Sequence, residues 1–339
     1  MKIYEVGGAV RDTLLGKIAK DRDWVVVGSS PEEMVSNGFK PIGKDFPVFL
    51  HPSSNEEYAL ARTEKKTGHG YHGFNFYFGK DVTLEEDLSR RDLTINAIAR
   101  DSSGNIIDPY EGIKDLERKI FRHVSDAFLE DPLRAIRLAR FHTYEHLKDF
   151  SIDSKTEEML EKIVNSGELA NLSPDRIWTE TDRAMSSKNP NIFFELIIKY
   201  KMLHPYFEEL RKSLCDTTTN SIIRWAELQA NNDFALGNNL PIPNAQKNAS
   251  DVLMKLMKIS KDMPRNELIK LFPLINFDRN ELLIKDLCSL PQLSNSKELI
   301  FKLVSKTMET DFSFLKNIPN EKIHAEKHKI YEKILNQCL

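Results

Sequence analysis

The sequence predicts an α+β protein: a mixed strand-and-helix segment over about the first 120 residues, then a chain that is helical from about residue 111 onward. Three observations carry this reading. Short apolar runs closed by glycine alternate with amphipathic stretches near the start. After them, apolar residues recur at helical spacing between Pro- and Asn-rich breaks, notably over 237–249. The length, 339 residues with 40% hydrophobic and 29% charged, gives room for two or three domains with cores of their own.

Taken in order, Lys2-Ile-Tyr-Glu-Val6 reads as a short strand that runs into Gly7-Gly8 and then a helical stretch from Val10 to Leu15. Asp23-Trp-Val-Val-Val-Gly28 is a buried strand closed by a glycine. Ser30-Pro31-Glu32-Glu33 supplies an N-cap, a proline at the first helical position and acids in the first turn. Phe46–Leu50 and Glu57–Arg62 alternate like paired strands. Residues 64–80, with four glycines, charges and aromatics in no clear period, read as a mobile loop. Helices are expected over Asp131–Arg140 and after Ser173-Pro174, and no strand-rich region or repeat is expected in 190–339.

Composition narrows the function classes. The net charge is −3, from 48 basic and 51 acidic residues, so bulk charge makes no case for nucleic acid, although a local basic stripe can bind phosphates in an acidic protein. No apolar run approaches the ~18 residues of a membrane span. The start of the chain lacks the apolar core of a signal peptide. Cys215, Cys288 and Cys338 lie far apart and form no CxxC pair, which points away from a disulfide framework and toward a reducing cytoplasm.

Four segments carry chemistry. In Asp21-Arg22-Asp23, alternate strand residues face one way. Two carboxylates so placed can hold Mg²⁺, a hard cation that prefers oxygen ligands and substrate phosphates, and two such ions can clamp an in-line attack on a nucleotide α-phosphate. Alone, such a tripeptide is more often a solvated turn or strand edge. Gly7-Gly8 between strand and helix lets the backbone approach a phosphate at a helix N-terminus, where Arg11 adds a charged donor; an ordinary tight turn reads the same way. Arg90-Arg91-Asp92 fits a surface ion-pair cluster or, beside a triphosphate, a phosphate and ribose contact. In Glu130-Asp131-Pro-Leu-Arg134-Ala-Ile-Arg137-Leu-Ala-Arg140, Asp131 and Arg134 stand one turn apart. A carboxylate accepts from the exocyclic amine of C or A and a guanidinium donates to the ring acceptor beside it, a pairing worth ~1–3 kcal/mol of discrimination against U or G. A capped helix start with surface arginines is an equal reading of that segment alone.

These blocks in this order resemble the class II tRNA nucleotidyltransferases, the CCA-adding enzymes and their poly(A)-polymerase relatives. The likeness is closest to bacterial CCA-adding enzymes that begin MKIYxVGGAVRD, and it extends over about residues 1–205. Gly7-Gly8-Ala-Val-Arg11-Asp12 with Asp21-Arg-Asp23 resembles the family's metal and nucleotide block, and Arg90-Arg91-Asp92 its ribose and phosphate block. Asp108-Pro109-Tyr-Glu-Gly112 with Asp115-Leu116 resembles the hinge block, Glu130-Asp131-xx-Arg134 the amino-acid template for C and A, and Arg176 to Glu180 the neck-helix block. The resemblance implies that Asp21 and Asp23 are catalytic and hold Mg²⁺. It implies that Gly8, Arg11, Arg91, Arg137 and Arg140 contact ATP or CTP, and that Asp131 and Arg134 select the base.

The fold so implied is a polymerase-β-like nucleotidyltransferase head of mixed sheet and helices over 1–120, a helical neck over 121–205, and a helical body and tail over 206–339 that grip tRNA. The implied reaction adds C, C and A to the tRNA 3′ end, and the implied home is the cytoplasm. In this family a flexible loop near 64–80 bears on the switch from C to A, and its presence argues against a CC-only enzyme. The chain contains no adjacent His-Asp pair, so the HD phosphohydrolase activity of many relatives is not expected. The alternatives are an A-only enzyme, a poly(A) polymerase or, in a different class, a non-catalytic tRNA-binding protein.

Overall fold

The computed structural model describes residues 1–19, 22–42, 48–66 and 74–339. Its first part alternates strand and helix: β1 (Lys2–Val6), α1 (Gly8–Leu14), β2 (Asp23–Val27), α2 (Pro31–Ser36), β3 (Lys40–Pro41), β4 (Val48–Leu50), β5 (Glu57–Leu60), β6 (Thr63–Lys66), β7 (Phe74–Tyr77), α3 (Leu84–Ser89), β8 (Ala99–Asp101), β9 (Ile106–Ile107) and α4 (Gly112–Arg118). Seven strands form one sheet in the order β3-β4-β5-β2-β1-β8-β9. The β2–β5 pair is parallel, the others antiparallel.

Both faces of this sheet are covered, so after Asp23 the strand β2 runs apolar from Trp24 to Val27 rather than alternating. Val25 joins Val6, Ala61, Leu84, Leu88, Ala97 and Ala99 on one face. Val26 joins Met34, Phe39, Phe49, Tyr58 and Leu60 on the other. Helix α2 starts as its sequence dictates: Ser30 accepts the Glu33 backbone N–H, with Pro31 in the first turn. The first face ends at the rim where β2 begins, and there Asp23 lies in register with Val6 on one side and Glu57 on the other.

The loop expected over 64–80 is corrected at 64–66 and 74–77. Thr63–Lys66 and Phe74–Tyr77 pair as an antiparallel ladder, with Thr63 opposite Tyr77 and Lys66 opposite Phe74. Interspersed charges and glycines hid the alternation of these two strands; residues 67–73 lie outside the described residues.

The later part is helical: β10 (Ile120–Phe121), α5 (Leu133–His142), β11 (Ser151–Ile152), α6 (Ser154–Ser166), α7 (Pro174–Met185), α8 (Pro190–Lys199), α9 (Ser221–Asn231), α10 (Asn244–Leu256), α11 (Arg265–Ile275), α12 (Glu281–Leu287), α13 (Lys297–Glu309) and α14 (Asn320–Cys338). One departure from the all-helical expectation is the two-residue parallel pair of β10 and β11. Residues 190–339 hold no strand, as their periodicity predicts.

The chain divides into two compact units, Met1–Glu180 with Leu196–Pro205, and Thr181–Glu195 with Tyr206–Leu339. The second unit has its own core, in which Leu253, Leu256, Leu268, Phe272, Ile275, Leu287, Leu293 and Leu303 are buried. None of the described helices is long and apolar enough to cross a membrane.

Candidate nucleotide and metal site

Gly7 links β1 to α1 at φ +76° and ψ −140°, a conformation that side chains rarely adopt. A Cβ there would lie 3.1 Å from Arg91 Nη1 and 3.9 Å from Asp23 Oδ2. The glycine therefore lets Arg91 and Asp23, distant in sequence, share one corner of the sheet. Gly8 opens α1, and its Cβ position is 3.5 Å from Arg11 Nη2. Arg91 donates to the buried Asp87 carboxylate at 3.2 Å, while its own Nε is buried with no hydrogen-bond partner among the described residues. Asp87 also takes Arg90 at 2.7 Å and the Arg62 backbone N–H at 3.2 Å.

Arg11 is 3% exposed. It donates to Asn96 Oδ1 at 2.7 Å and to Asp12 Oδ1 at 2.8 Å, and His146 Nε2 lies 3.0 Å from that same oxygen. Asn96 in turn donates to Asp92 at 3.0 Å, and the other Asp92 oxygen takes Arg137 at 2.9 Å. Arg140 donates to Glu180 and to the Tyr144 hydroxyl. The Phe141 ring sits among three guanidiniums, with Arg140 at 4.2 Å, Arg137 at 5.2 Å and Arg11 at 5.5 Å from its centroid. Three cations are thus held close together by three carboxylates (Asp12, Asp92 and Glu180) and one aromatic face.

Burial alone would raise the Asp92 carboxyl, but the Arg137 guanidinium, the Asn96 amide and Arg134 outweigh it and hold Asp92 well below the usual carboxylate range. Burial likewise opposes the charge on Arg137, and Asp92 and Glu180 overcome it and raise the guanidinium above its ordinary value. Asp12 is lowered by His146 and Arg11 against the pull of its burial. All three are thus fixed in their charged forms.

The pair expected to read the base, Asp131 and Arg134, lies at the start of α5. Asp131 Oδ1 accepts the Leu133 backbone N–H at 3.2 Å, and Oδ2 accepts Arg176 Nη2 at 2.7 Å. Arg134 is 6% exposed and donates to the Ala127 carbonyl at 2.6 Å.

Of the two carboxylates expected to hold metal, Asp21 lies outside the described residues, and Asp23 is exposed at the start of β2. Registered neighbours in a sheet share a face, so Glu57 stands beside Asp23. Glu56 precedes the strand and accepts the Ser54 hydroxyl. Among the described residues, no three side chains form a metal-ligating group. The Asp23–Glu57 pair is an all-oxygen donor set at an open rim, which fits a hard divalent cation.

Sequence reasoning did not assign the role of holding the arginines to Asp87, Asp92 or Glu180, and Asp87 and the ring of Phe141 lie in none of the segments it singled out as sites. Asp92 was legible only as part of a local charged cluster and Glu180 only within the resembling neck-helix block, and their arginine partners lie 45 and 40 residues away respectively.

Residues 3–122 match the family described as "Poly A polymerase head domain", and residues 149–214 match "Probable RNA and SrmB- binding site of polymerase A". The chain is 52% identical over 239 residues to the CCA-adding enzymes of two Coxiella burnetii strains, RSA 331 and RSA 493. That match covers 68% of this chain and 63% of theirs, so the chain spans under two thirds of the relatives' length. The fold is similar to that of a CCA-adding enzyme in complex with ATP, with TM-score 0.70, 21% identity, and 98% of this chain and 86% of that chain covered. It is also similar to the Bacillus stearothermophilus CCA-adding enzyme in complex with CTP, with TM-score 0.63, 23% identity, and coverage of 98% and 78%. A third likeness is to the Thermotoga maritima CCA-adding enzyme complexed with tRNA-CCA, with TM-score 0.63, 20% identity, and coverage of 99% and 91%.

Proposed function

The chain belongs to the class II tRNA nucleotidyltransferases, the family of the poly(A) polymerase head domain, and from that membership we propose that it adds C, C and A to the tRNA 3′ end, using CTP and ATP without a nucleic-acid template and releasing pyrophosphate. The observation that carries the reading is the arginine cluster around Phe141, joined through Asn96 and Asp92, with Arg91 at the corner of Gly7 and Asp23. A triphosphate needs several positive groups already gathered and oriented, and this network supplies them before any substrate arrives.

In this reading Gly8, Arg11, Arg91, Arg137 and Arg140 take the nucleotide, and the Arg91 Nε, which has no partner among the described residues, is a donor that a phosphate oxygen satisfies. Asp131 and Arg134 read the base, accepting from the amine of C or A and donating to the ring acceptor beside it. Asp21 and Asp23 are the catalytic pair and hold Mg²⁺, with Glu57 as the third carboxylate. The bound ion would ease loss of the proton from the attacking 3′ hydroxyl and offset charge on the leaving pyrophosphate. We assign catalysis to a head over 1–120, nucleotide selection to a neck over 121–205, and tRNA binding to a body and tail over 206–339. We place the protein in the cytoplasm, where its three buried, unpaired cysteines stay reduced.

The test is to incubate the protein with Mg²⁺, a tRNA ending at its discriminator base, and CTP and ATP singly and together, resolving products at single-nucleotide length. Growth by three residues that needs both nucleotides is the expected result. Growth only on a tRNA already ending in CC would make it an A-adding enzyme. Long A tails would make it a poly(A) polymerase, and no growth on any end would make it a tRNA binder.

A further inference from the structure

We propose that Arg176, on the first turn of α7, is a specificity-determining positioning residue: it locks the Asp131 carboxylate so that a nucleotide with a carbonyl in place of the amine cannot escape the mismatch. This rests on the reading that Asp131 and Arg134 select the base.

Asp131 sits before α5 on a side chain with only two torsions. Its Oδ1 takes the Leu133 backbone N–H at 3.2 Å, a local clamp supplied by its own helix. Its Oδ2 takes Arg176 Nη2 at 2.7 Å, from a helix 45 residues away. With one hydrogen bond on each oxygen, the plane of the carboxylate is fixed, and each oxygen keeps a second lone pair for a ligand. A base amine can donate to such a group. A uracil O4 or guanine O6 meets an acceptor that has no proton to give and cannot turn away.

A carboxylate held only by Leu133 could rotate toward water and shed that repulsion. Fixing the acceptor therefore matters more for rejecting the wrong base than for binding the right one. Arg176 is itself set in place: its backbone N–H is taken by the Ser173 hydroxyl at 3.3 Å, and four residues on, Glu180 grips Arg140 of α5. The two contacts fix α7 against the helix that carries the template.

The experiment measures kcat/KM for CTP against UTP, and for ATP against GTP, on tRNA ends that accept C or A, with thermal midpoints recorded alongside. The variants are Arg176→Met, Arg176→Lys and Asp131→Asn. Arg176→Met is expected to lower the CTP:UTP ratio by about ten-fold, chiefly by raising UTP use, and Arg176→Lys to lower it less. Asp131→Asn is expected to lower the ratio as well. If Asp131→Asn lowers it and Arg176→Met leaves it unchanged, whatever happens to kcat, the role assigned to Arg176 is overturned. If Asp131→Asn leaves the ratio unchanged, the base-reading assignment itself falls, and this inference with it. Should Arg176→Met not fold, Arg176→Lys decides: a lowered ratio supports the role and an unchanged one overturns it.

Discussion

The Arg137 guanidinium rests on the Asp92 carboxylate through two nitrogens, at 2.9 Å and 2.8 Å. One partner ends the Arg90-Arg91-Asp92 segment and the other lies in mid-α5, so the contact ties the Arg90-Arg91-Asp92 segment to the helix that begins beside Asp131 and Arg134. Because Asp92 also holds Asn96, and Asn96 holds Arg11, a change at Asp92 reaches two arginines at once.

Asp92→Asn is therefore expected to raise the KM for both nucleotides and to destabilise the protein by about 2 kcal/mol, less than a fully buried pair because Arg137 keeps a third of its side chain exposed. The pH dependence has a definite sign. Burial would raise Asp92, Asp87 and Asp12, yet Arg137, the Arg90–Arg91 pair and the His146–Arg11 pair respectively hold each below the usual range. A folded pKa below the unfolded one gives stability that is complete above the unfolded value, about 4, and is lost as pH falls through the folded values. Burial also lowers His123 and His142, so stability begins to fall below about pH 6.5. Urea unfolding should show that first decline equally in both proteins and a further one below about pH 4 that is shallower in Asp92→Asn. An equal decline in both proteins would refute the assignment to Asp92.

Much of this arrangement was legible from the residues. The glycine turn, the Asp23 strand and the capped α2 follow from local rules about φ, strand period and N-caps, and all three occur where the sequence puts them. The arginines at 134, 137 and 140 were legible as one group because their spacing is helical. Their counter-charges were not: no local rule connects Asp92 to Arg137 or Glu180 to Arg140. The β6–β7 hairpin was missed because its strands are four residues each and its charged and aromatic residues give no clear period. Glu57 was separable from Glu56 only through the register that places it beside Asp23.

Gly7→Ala should injure function and stability together. The backbone there costs roughly 1–3 kcal/mol for a residue with a Cβ, and the Cβ would press on Arg91 Nη1 at 3.1 Å. Nucleotide KM should rise by about ten-fold as Arg91 is displaced. Gly16→Ala is the control: its φ is also positive, at +70°, but nothing lies within 4 Å. It should lose stability with KM unchanged. A matching KM rise in both variants would mean that Arg91 is not the cause.

The register of β2 and β5 makes a prediction about metal. If Asp23 and Glu57 share the ion, removing one charge weakens the site in proportion to ligand charge. Glu57→Gln should raise the Mg²⁺ concentration for half-maximal transfer by about ten-fold, while Glu56→Gln, whose carboxylate accepts from Ser54, should leave it unchanged. A magnesium titration of transfer activity with both variants checks this. Equal responses would remove Glu57 from the ligand set.

Arg140 and Glu180 are 4% and 3% exposed, and they bond each other. Removing one member of such a pair strands the other without solvent, which costs roughly 3–5 kcal/mol, whereas replacing both with apolar groups of similar size costs much less. Glu180→Gln should therefore lower the unfolding free energy by about 3 kcal/mol, with Arg137 also losing a neighbour at 4.0 Å. Arg140→Met combined with Glu180→Leu should recover much of that loss, because Phe141 lies 4.2 Å from the Arg140 guanidinium and offers an apolar wall. The two readouts then separate Arg140's two roles. If it only fixes α5 against α7, the double variant regains nucleotide affinity with its stability. If Arg140 also touches the triphosphate, stability returns while the KM for ATP and CTP stays high, and that second pattern is the one the site assignment requires.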